Sequence, residues 1–174
     1  MGEFTFGTMA GAPITGSLVG WQNYSDTATE STPVSLSGTP IALPNDGLGS
    51  TTLKTFGVVG HGDIWNPSTG SFDFSSLKAG DTVDFRVDFT VTTDGPNHEI
   101  STDIELAIGQ AFPYTLTLDR RAFKSAGTFE FTRWSSVYMG DDNTLNGDAH
   151  FSMMSDGSGD TVVVNGWYVR THVR

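Results

Sequence analysis

The chain of 174 residues carries a net charge of −11, is 37% hydrophobic and has no cysteine. The missing cysteine excludes disulfides, thiolate metal sites and thiol nucleophiles, and the acidic balance argues against nucleic acid as a partner. No apolar run approaches the ~20 residues that span a bilayer, so we expect no membrane insertion.

The length fits one domain, which we place at residues 17–174, because all-β domains of this size are commonly single. Residues 1–16 are rich in Gly, Ala, Thr and Pro and indicate a flexible or irregular lead-in, or a cloning remnant. They lack the basic segment and apolar run of a signal peptide. Ten strand candidates follow in chain order: Leu18–Tyr24, Val34–Leu43, Thr52–Val59, Ser71–Leu77, Thr82–Thr92, Ser101–Ile108, Tyr114–Leu118, Thr128–Trp134, Ala149–Met154 and Thr161–Val173.

The clearest of these is Thr82–Thr92, in which apolar and polar residues alternate without an error. A period of two places one apolar face on a core and one polar face in water, which is typical of an antiparallel strand. Gly- and Pro-containing turns separate the candidates, and only 120–125 offers a turn of helix. The sequence therefore predicts an all-β fold, an antiparallel β-sandwich with jelly-roll topology.

The last candidate contains Asn165-Gly166, which is compatible with a two-residue hairpin turn or with a bulge in one long strand. We favour a single strand, because Trp167 and Val169 continue the parity of Val163. Trp167 and Tyr168 then point to opposite faces, so one of them lies outside the sandwich core. Seven phenylalanines have inward parity and are predicted core residues: Phe72, Phe74, Phe85, Phe89, Phe129, Phe131 and Phe151.

Catalytic patterns are weak, and we predict that the chain is not an enzyme. His61-Gly62-Asp63 lacks the nucleophile on a strained turn that a catalytic triad requires. The four histidines show no ligand spacing for a metal. Outward carboxylates on the strands could line a glycosidase groove, but solvated side chains are the simpler interpretation; they are Asp84, Asp88, Asp103 and Glu105.

The segment Asp141–Asp148 crowds oxygen ligands into one loop, as a calcium site requires. It lacks the ligand phasing and the closing Glu of such a site, so we interpret it as an acidic surface loop. Asp156–Asp160 is the simpler case of a hairpin turn. We predict no metal and no cofactor.

Two stretches carry a resemblance to a known family. One runs from Asp63-Ile64-Trp65-Asn66-Pro67-Ser68-Thr69-Gly70-Ser71-Phe72 into the strand at 82–92, and the other is Gly166-Trp167-Tyr168-Val169-Arg170 within the last strand. Together they resemble the jelly-roll knobs of bacteriophage tail needles and tail fibres, which are tumour necrosis factor (TNF)-like. The resemblance covers about residues 50–174.

The resemblance implies a homotrimer in the virion, at the extracellular tip of a phage tail, that attaches to a host cell. Loops would contact a bacterial surface glycan or an outer-membrane protein. The candidate contact residues are Asp141, Asp142, Asn143, Asn146, Asp148, Asn97 and His98, and the candidate trimer-interface residues are Tyr168 and Trp167.

Three other interpretations stay open at this point. A carbohydrate-binding module of a secreted bacterial enzyme would be a monomer with an exposed Trp on one sheet face, since aromatic rings stack on sugars. An enzyme on a sandwich scaffold needs a constellation that the spacing does not assemble. A viral capsid or spike subunit differs from the tail knob mainly in the assembly that it joins.

Overall fold

The computed structural model describes residues 18–58 and 60–174, and the predicted lead-in at 1–16 lies outside these residues. Two antiparallel sheets face each other and enclose one core. The strands are β1 (Leu18–Ser25), β2 (Val34–Ser35), β3 (Ile41–Ala42), β4 (Trp65–Asn66), β5 (Ser71–Phe72), β6 (Thr82–Thr93), β7 (His98–Ile108), β8 (Tyr114–Phe123), β9 (Gly127–Tyr138), β10 (Asp148–Ser155) and β11 (Thr161–Val173). Two short helices, α1 (Ala28–Ser31) and α2 (Asp142–Asn146), lie in connections.

The strand order is that of a jelly roll. Sheet A has the order β1-β11-β6-β9, with β2 beside β11, and sheet B has the order β4-β5-β10-β7-β8, with β3 beside β10. Strands distant in sequence become neighbours, and consecutive strands cross between the sheets, as in the double Greek keys of jelly rolls. The predicted antiparallel β-sandwich with jelly-roll topology is confirmed.

The core forms where the inward residues of both sheets interdigitate. Phe72 lies at its centre, with ring centroids 4.9 Å from Phe85 and 5.4 Å from Phe151. Trp167 packs 5.0 Å from Phe151 and 5.6 Å from Trp65, and all five side chains are nearly inaccessible to solvent. Edge-to-face ring pairs of this kind add to the large apolar area that the aromatic side chains bury.

A bulge in β11 decides the orientation of Trp167. The strand is continuous from Thr161 to Val173, as predicted, but its register shifts between Val164 and Gly166. Val162 and Val164 are buried before the bulge, and Trp167 and Val169 are buried after it. The predicted parity of Val163 with Trp167 is therefore wrong, because the extra residue of the bulge reverses the alternation.

Several other local predictions are wrong. The described part of the candidate at 52–59 forms turns, with one bridge between Leu53 and Asn23. The candidates at 34–43 and 71–77 contain only two-residue strands, and 120–123 continues β8 instead of turning into helix. Phe129 and Phe131 are only partly buried, because β9 is the open edge of sheet A.

No helix among the described residues is long and apolar enough to cross a membrane.

Candidate functional site

An aromatic strip crosses the outer face of sheet A, on the side away from the core. Trp21 on β1 stacks on Phe56 at 5.0 Å and on Tyr168 of β11 at 5.7 Å. Tyr168 in turn meets Trp134 of β9 edge to face at 6.2 Å. The strip exists because Trp21, Tyr168 and Trp134 have outward parity on their strands. Tyr168 and Trp134 lie in one register row through β6. Trp21 lies diagonally beside Tyr168, since its own partner on β11 is Arg170.

Arg86 of β6 fills the gap between Tyr168 and Trp134. It is paired with both residues in the sheet register, and its guanidinium lies 5.5 Å from the Tyr168 ring and 5.7 Å from the Trp134 ring. Its Nε also lies 2.9 Å from Asp88 Oδ2. A cation within about 6 Å of two ring centroids is attracted by both π faces, so Arg86 holds the strip in a fixed arrangement.

Several apolar side chains in and around the strip are exposed to solvent. Trp134 is 61% exposed and Phe56 54%, and Tyr138 and Val19 on the same face are 59% and 50% exposed. Exposed aromatic and aliphatic side chains that cluster on a sheet are typical of an interaction surface. Tyr138 is separated from the strip by the polar row that contains Asp84 and Ser136. We call this set (Val19, Trp21, Phe56, Trp134, Tyr138 and Tyr168) the aromatic face.

The strand registers define two ends of the sandwich. At the first end Leu18 pairs with Val173, and Tyr138 pairs with Thr82, beside the connections at 109–113 and 139–147. At the other end lie the connections at 94–97, 124–126 and 156–160. We call these the terminal end and the far end. The aromatic face occupies the half of sheet A toward the terminal end, whereas outward residues in the other half are mostly polar.

The predicted contact residues fall at opposite ends. Asp141, Asp142, Asn143, Asn146 and Asp148 lie at the terminal end, whereas Asn97 and His98 lie at the far end. The two sets therefore cannot form one contact surface.

The loop at 141–148 is an ordered element that contains α2. Asp141 is the N-cap of this helix: its carboxylate accepts a hydrogen bond from the Thr144 N–H at 2.8 Å, and that bond lowers the pKa of Asp141. Asn143 donates to the Phe112 carbonyl at 2.7 Å and accepts from its N–H at 3.3 Å. The side chains of Asp141 and Asn143 are thus used to hold the loop.

The far end is held together by a buried carboxylate. His98 Nδ1 lies 2.8 Å from Asp160 Oδ1, and the Asp160 carboxylate also accepts hydrogen bonds from the Ser155 hydroxyl and the Asp94 N–H. Burial alone would raise the pKa of Asp160, but these hydrogen bonds outweigh it and hold the pKa below its usual value. His98 is therefore a structural link, and Asn97 beside it is exposed.

The four carboxylates predicted to be outward and solvated lie on two different sheets. The prediction is wrong for Asp103, which is buried because β7 is an interior strand of sheet B. Asp84 and Asp88 are on sheet A, where Asp84 lies 2.9 Å from His172 Nε2. Asp103 and Glu105 are on sheet B, where Ser101 donates to Asp103 and His150 lies 3.5 Å from Glu105. Within 18–58 and 60–174, no group of three His, Asp or Glu side chains is arranged to hold a metal ion.

The structure separates the two interface candidates. Trp167 is fully buried in the core, whereas Tyr168 lies at the centre of the aromatic face. Trp21 and Trp134 have no role predicted from the sequence, although their parity within the strands is a signal that places them outward. Trp134 alternates in phase with the polar residues Glu130 and Thr132, which places it outward. Phe56 carried no such signal, because it reaches the face from an irregular connection.

No family model and no curated protein matches the chain. Among solved structures, it is similar to the TNF protein Eiger from S. frugiperda, with 10% identity over 90% of this chain and 94% of that chain and a TM-score of 0.43. It is also similar to a chain of the infectious bursal disease virus Gt strain, with 10% identity over 89% of this chain and 52% of that chain and a TM-score of 0.42.

A third similar structure is the xylan-binding module CBM15, with 14% identity over 89% of this chain and 97% of that chain and a TM-score of 0.37. The chain spans about half the length of the virus protein. The three proteins differ in kind and are remote from this chain, so no function passes from them to it. The strand order remains the basis for the fold.

Proposed function

We propose that this chain is the non-enzymatic, homotrimeric jelly-roll knob of a phage tail needle or tail fibre and attaches the virion to a host cell. The observation that carries the proposal is the aromatic face with Tyr168 at its centre. Its members Val19, Phe56, Trp134 and Tyr138 are exposed in one chain, and Trp21 and Tyr168 are partly buried. Covering the exposed side chains would release water from apolar surface.

A second apolar surface supplies what the aromatic face would contact. Strand β8 is the edge of sheet B, and the part of it near the terminal end exposes apolar side chains. Phe112 just before it is 77% exposed, Tyr114 is 38% exposed and Leu116 is 37% exposed. Two different apolar surfaces on one chain favour a head-to-tail contact between copies, which closes into a ring when the rotation is a whole fraction of a turn.

Both surfaces lie toward the terminal end, which leaves the far end free for a partner. Connections on a rigid scaffold can display side chains without loss of stability. In this arrangement the far-end connections at 94–97, 124–126 and 156–160 are the receptor-contact candidates, and Asn97 remains among them. The 141–148 loop is less suited, since it lies beside the proposed subunit contact. The assignment to a phage tail rests on the resemblance of 63–72 and 166–170.

The proposal is tested by the mass of the chain in solution, measured by light scattering coupled to size exclusion. One chain is 18.6 kDa, and we expect about three times that mass. Tyr168→Ala should reduce the mass toward that of one chain, because it removes the ring that links Trp21 and Trp134. The control is Val163→Ala, an outward apolar residue on the same strand in the far half of sheet A. A monomeric wild-type chain would refute the trimer.

A carbohydrate-binding module is the second candidate, since the same strip exposes Trp134. The ring geometry is less favourable to it. Trp21 is stacked between Phe56 and Tyr168, so its two faces are occupied and cannot bind a sugar ring. A monomer that binds a neutral polysaccharide through Trp134 would favour this function over the knob. A capsid or spike subunit would share the trimer and fail to adsorb to cells.

A further inference from the structure

The open edge between β8 and β9 changes character along its length. Near the terminal end it is apolar, with Tyr114 and Leu116. Toward the far end it is basic and carries Arg120, Arg121, Lys124 and Arg133. These are four of the nine Lys and Arg residues in a chain of net charge −11, so positive charge is concentrated here.

Two of these cations have no carboxylate partner within the described part of the chain. Arg120 lies 3.2 Å from Glu99, and Arg133 is paired with Asp119. Arg121 and Lys124 are exposed, and neither has a carboxylate within ion-pair distance among the described residues. An unpaired cation beside a negatively charged surface attracts an anionic ligand locally, because solvent and salt screen charges that lie farther away.

The unpaired cations border an open groove of about 570 Å³. The partly buried Phe129 and Phe131 line it, and the Arg121 guanidinium lies 5.2 Å from the Phe131 ring centroid. Ser125 adds a hydroxyl group at the rim, whereas the Thr128 hydroxyl lies 3.1 Å from that of Thr92 on the outer face of sheet A. The groove thus combines apolar ring surface, a hydroxyl hydrogen-bond partner and positive charge.

We infer that this groove binds a carboxylated polysaccharide. A sugar ring has an apolar C–H face that packs on aromatic side chains, and one of its hydroxyl groups would pair with Ser125. The ring carboxylate would pair with Arg121 or Lys124 in a charge-assisted hydrogen bond. This inference names the ligand class for the proposed attachment role and rests on it, since the groove must stay open at the far end of the trimer.

The negative charge of Glu130 favours a ligand whose own negative charges are widely spaced. Glu130 is among the residues that line the groove; its side chain lies on the outer face of sheet A, and its negative charge at this border repels anionic groups that follow one another closely. Nucleic acids and polyphosphate place their charges densely, and the net charge of −11 opposes them further. A polysaccharide with one carboxylate per ring can place its charges toward Arg121 and Lys124 and away from Glu130.

The test is isothermal titration calorimetry of the whole chain with three carboxylated probes: hexameric oligogalacturonate, a hyaluronate oligomer and a sialic acid oligomer. We expect at least one of them to bind and its binding to weaken as salt rises. The fully methyl-esterified oligogalacturonate has the same rings without charge and should not bind. Polyphosphate and single-stranded DNA test for unspecific attraction of anions.

Lys124→Gln and Arg121→Gln should each weaken binding about tenfold, the loss expected for one charge-assisted hydrogen bond. Lys78→Gln is the matched control, because Lys78 is an exposed cation near the terminal end with no ion-pair partner among residues 18–58 and 60–174. The melting temperature of Arg121→Gln shows whether the edge stays folded, and Lys124→Gln keeps the test independent of that outcome. Binding that all three variants leave unchanged would overturn the inference, as would the absence of binding or a preference for polyphosphate or DNA.

The light-scattering mass of the same samples separates the two proposals. A trimer that binds none of the probes would refute the carboxylated polysaccharide as ligand and would leave the proposed trimeric knob intact. A monomer that binds through Lys124 would support the groove as a binding site and would refute the trimeric knob.

Discussion

The imidazole of His98 bridges both oxygens of the buried Asp160 carboxylate, with Nδ1 2.8 Å from Oδ1 and 3.0 Å from Oδ2. The two residues are 62 positions apart in sequence. Their contact ties the connection between β6 and β7 to the turn between β10 and β11. The far end is therefore built as one unit, although its parts come from distant segments of the chain.

We expect Asp160→Asn to lower the free energy of unfolding at pH 7 by about 2–3 kcal/mol, since hydrogen bonds to a buried charge are lost. The pKa of Asp160 is lower in the folded chain than its usual value near 3.9, so its contribution is present above that value and disappears as the pH falls through the folded pKa. Thermal unfolding from pH 7 down to pH 2 should show the wild-type and variant curves converging in acid. Asp148→Asn, at an exposed carboxylate, is the control, and a constant difference across this range would contradict the mechanism.

Trp167→Ala should destabilise the fold by about 3–5 kcal/mol, because it leaves a large cavity between Phe151 and Trp65. Urea unfolding followed by circular dichroism measures the loss. Leu48→Ala is a control at a side chain that is 77% exposed, where we expect a change within about 0.5 kcal/mol. Similar losses for the two variants would show that Trp167 is not part of the core.

Gly166→Ala should cost about 1–3 kcal/mol through overpacking. A Cβ atom at Gly166 would lie 2.6 Å from the Tyr24 carbonyl oxygen, so β1 or the bulge must shift. Urea unfolding again provides the measurement. Gly38→Ala has no heavy atom within 4 Å of the added Cβ and should change stability little. A Gly166→Ala chain as stable as the wild type would mean that the bulge yields easily.

The double variant Tyr114→Ser, Leu116→Ser should weaken the trimer that we propose, because it makes the apolar part of β8 polar. Light scattering over a range of protein concentrations should show dissociation at concentrations where the wild type stays assembled. Thr115→Ser on the same strand is the control. An intact trimer in the double variant would exclude this edge from the subunit contact.

Two long strands were predictable from sequence because they alternate over many residues, whereas β8 and β9 extend beyond the predicted 114–118 and 128–134. The candidates at 82–92 and 161–173 agree with β6 and β11 almost to the residue. The two-residue strands were not predictable from sequence. A pair such as Trp65–Asn66 forms a strand only because it pairs with Ser71–Phe72 in the folded chain. Helix α2 was missed because its five residues carry no apolar period, although Asp141 and Thr144 form a regular N-cap.

By itself the sequence determined the sandwich, the absence of thiol chemistry and the existence of one outward aromatic beside Trp167. These properties depend on composition and on the period of two within single strands, which are local. Only the tertiary structure decided that Tyr168 meets Trp21 and Trp134, that the 141–148 loop and Asn97 lie at opposite ends, and that Arg121 and Lys124 share a groove. Those relations depend on which strands become neighbours, and in a jelly roll the neighbours are far apart in sequence, so no local pattern encodes them.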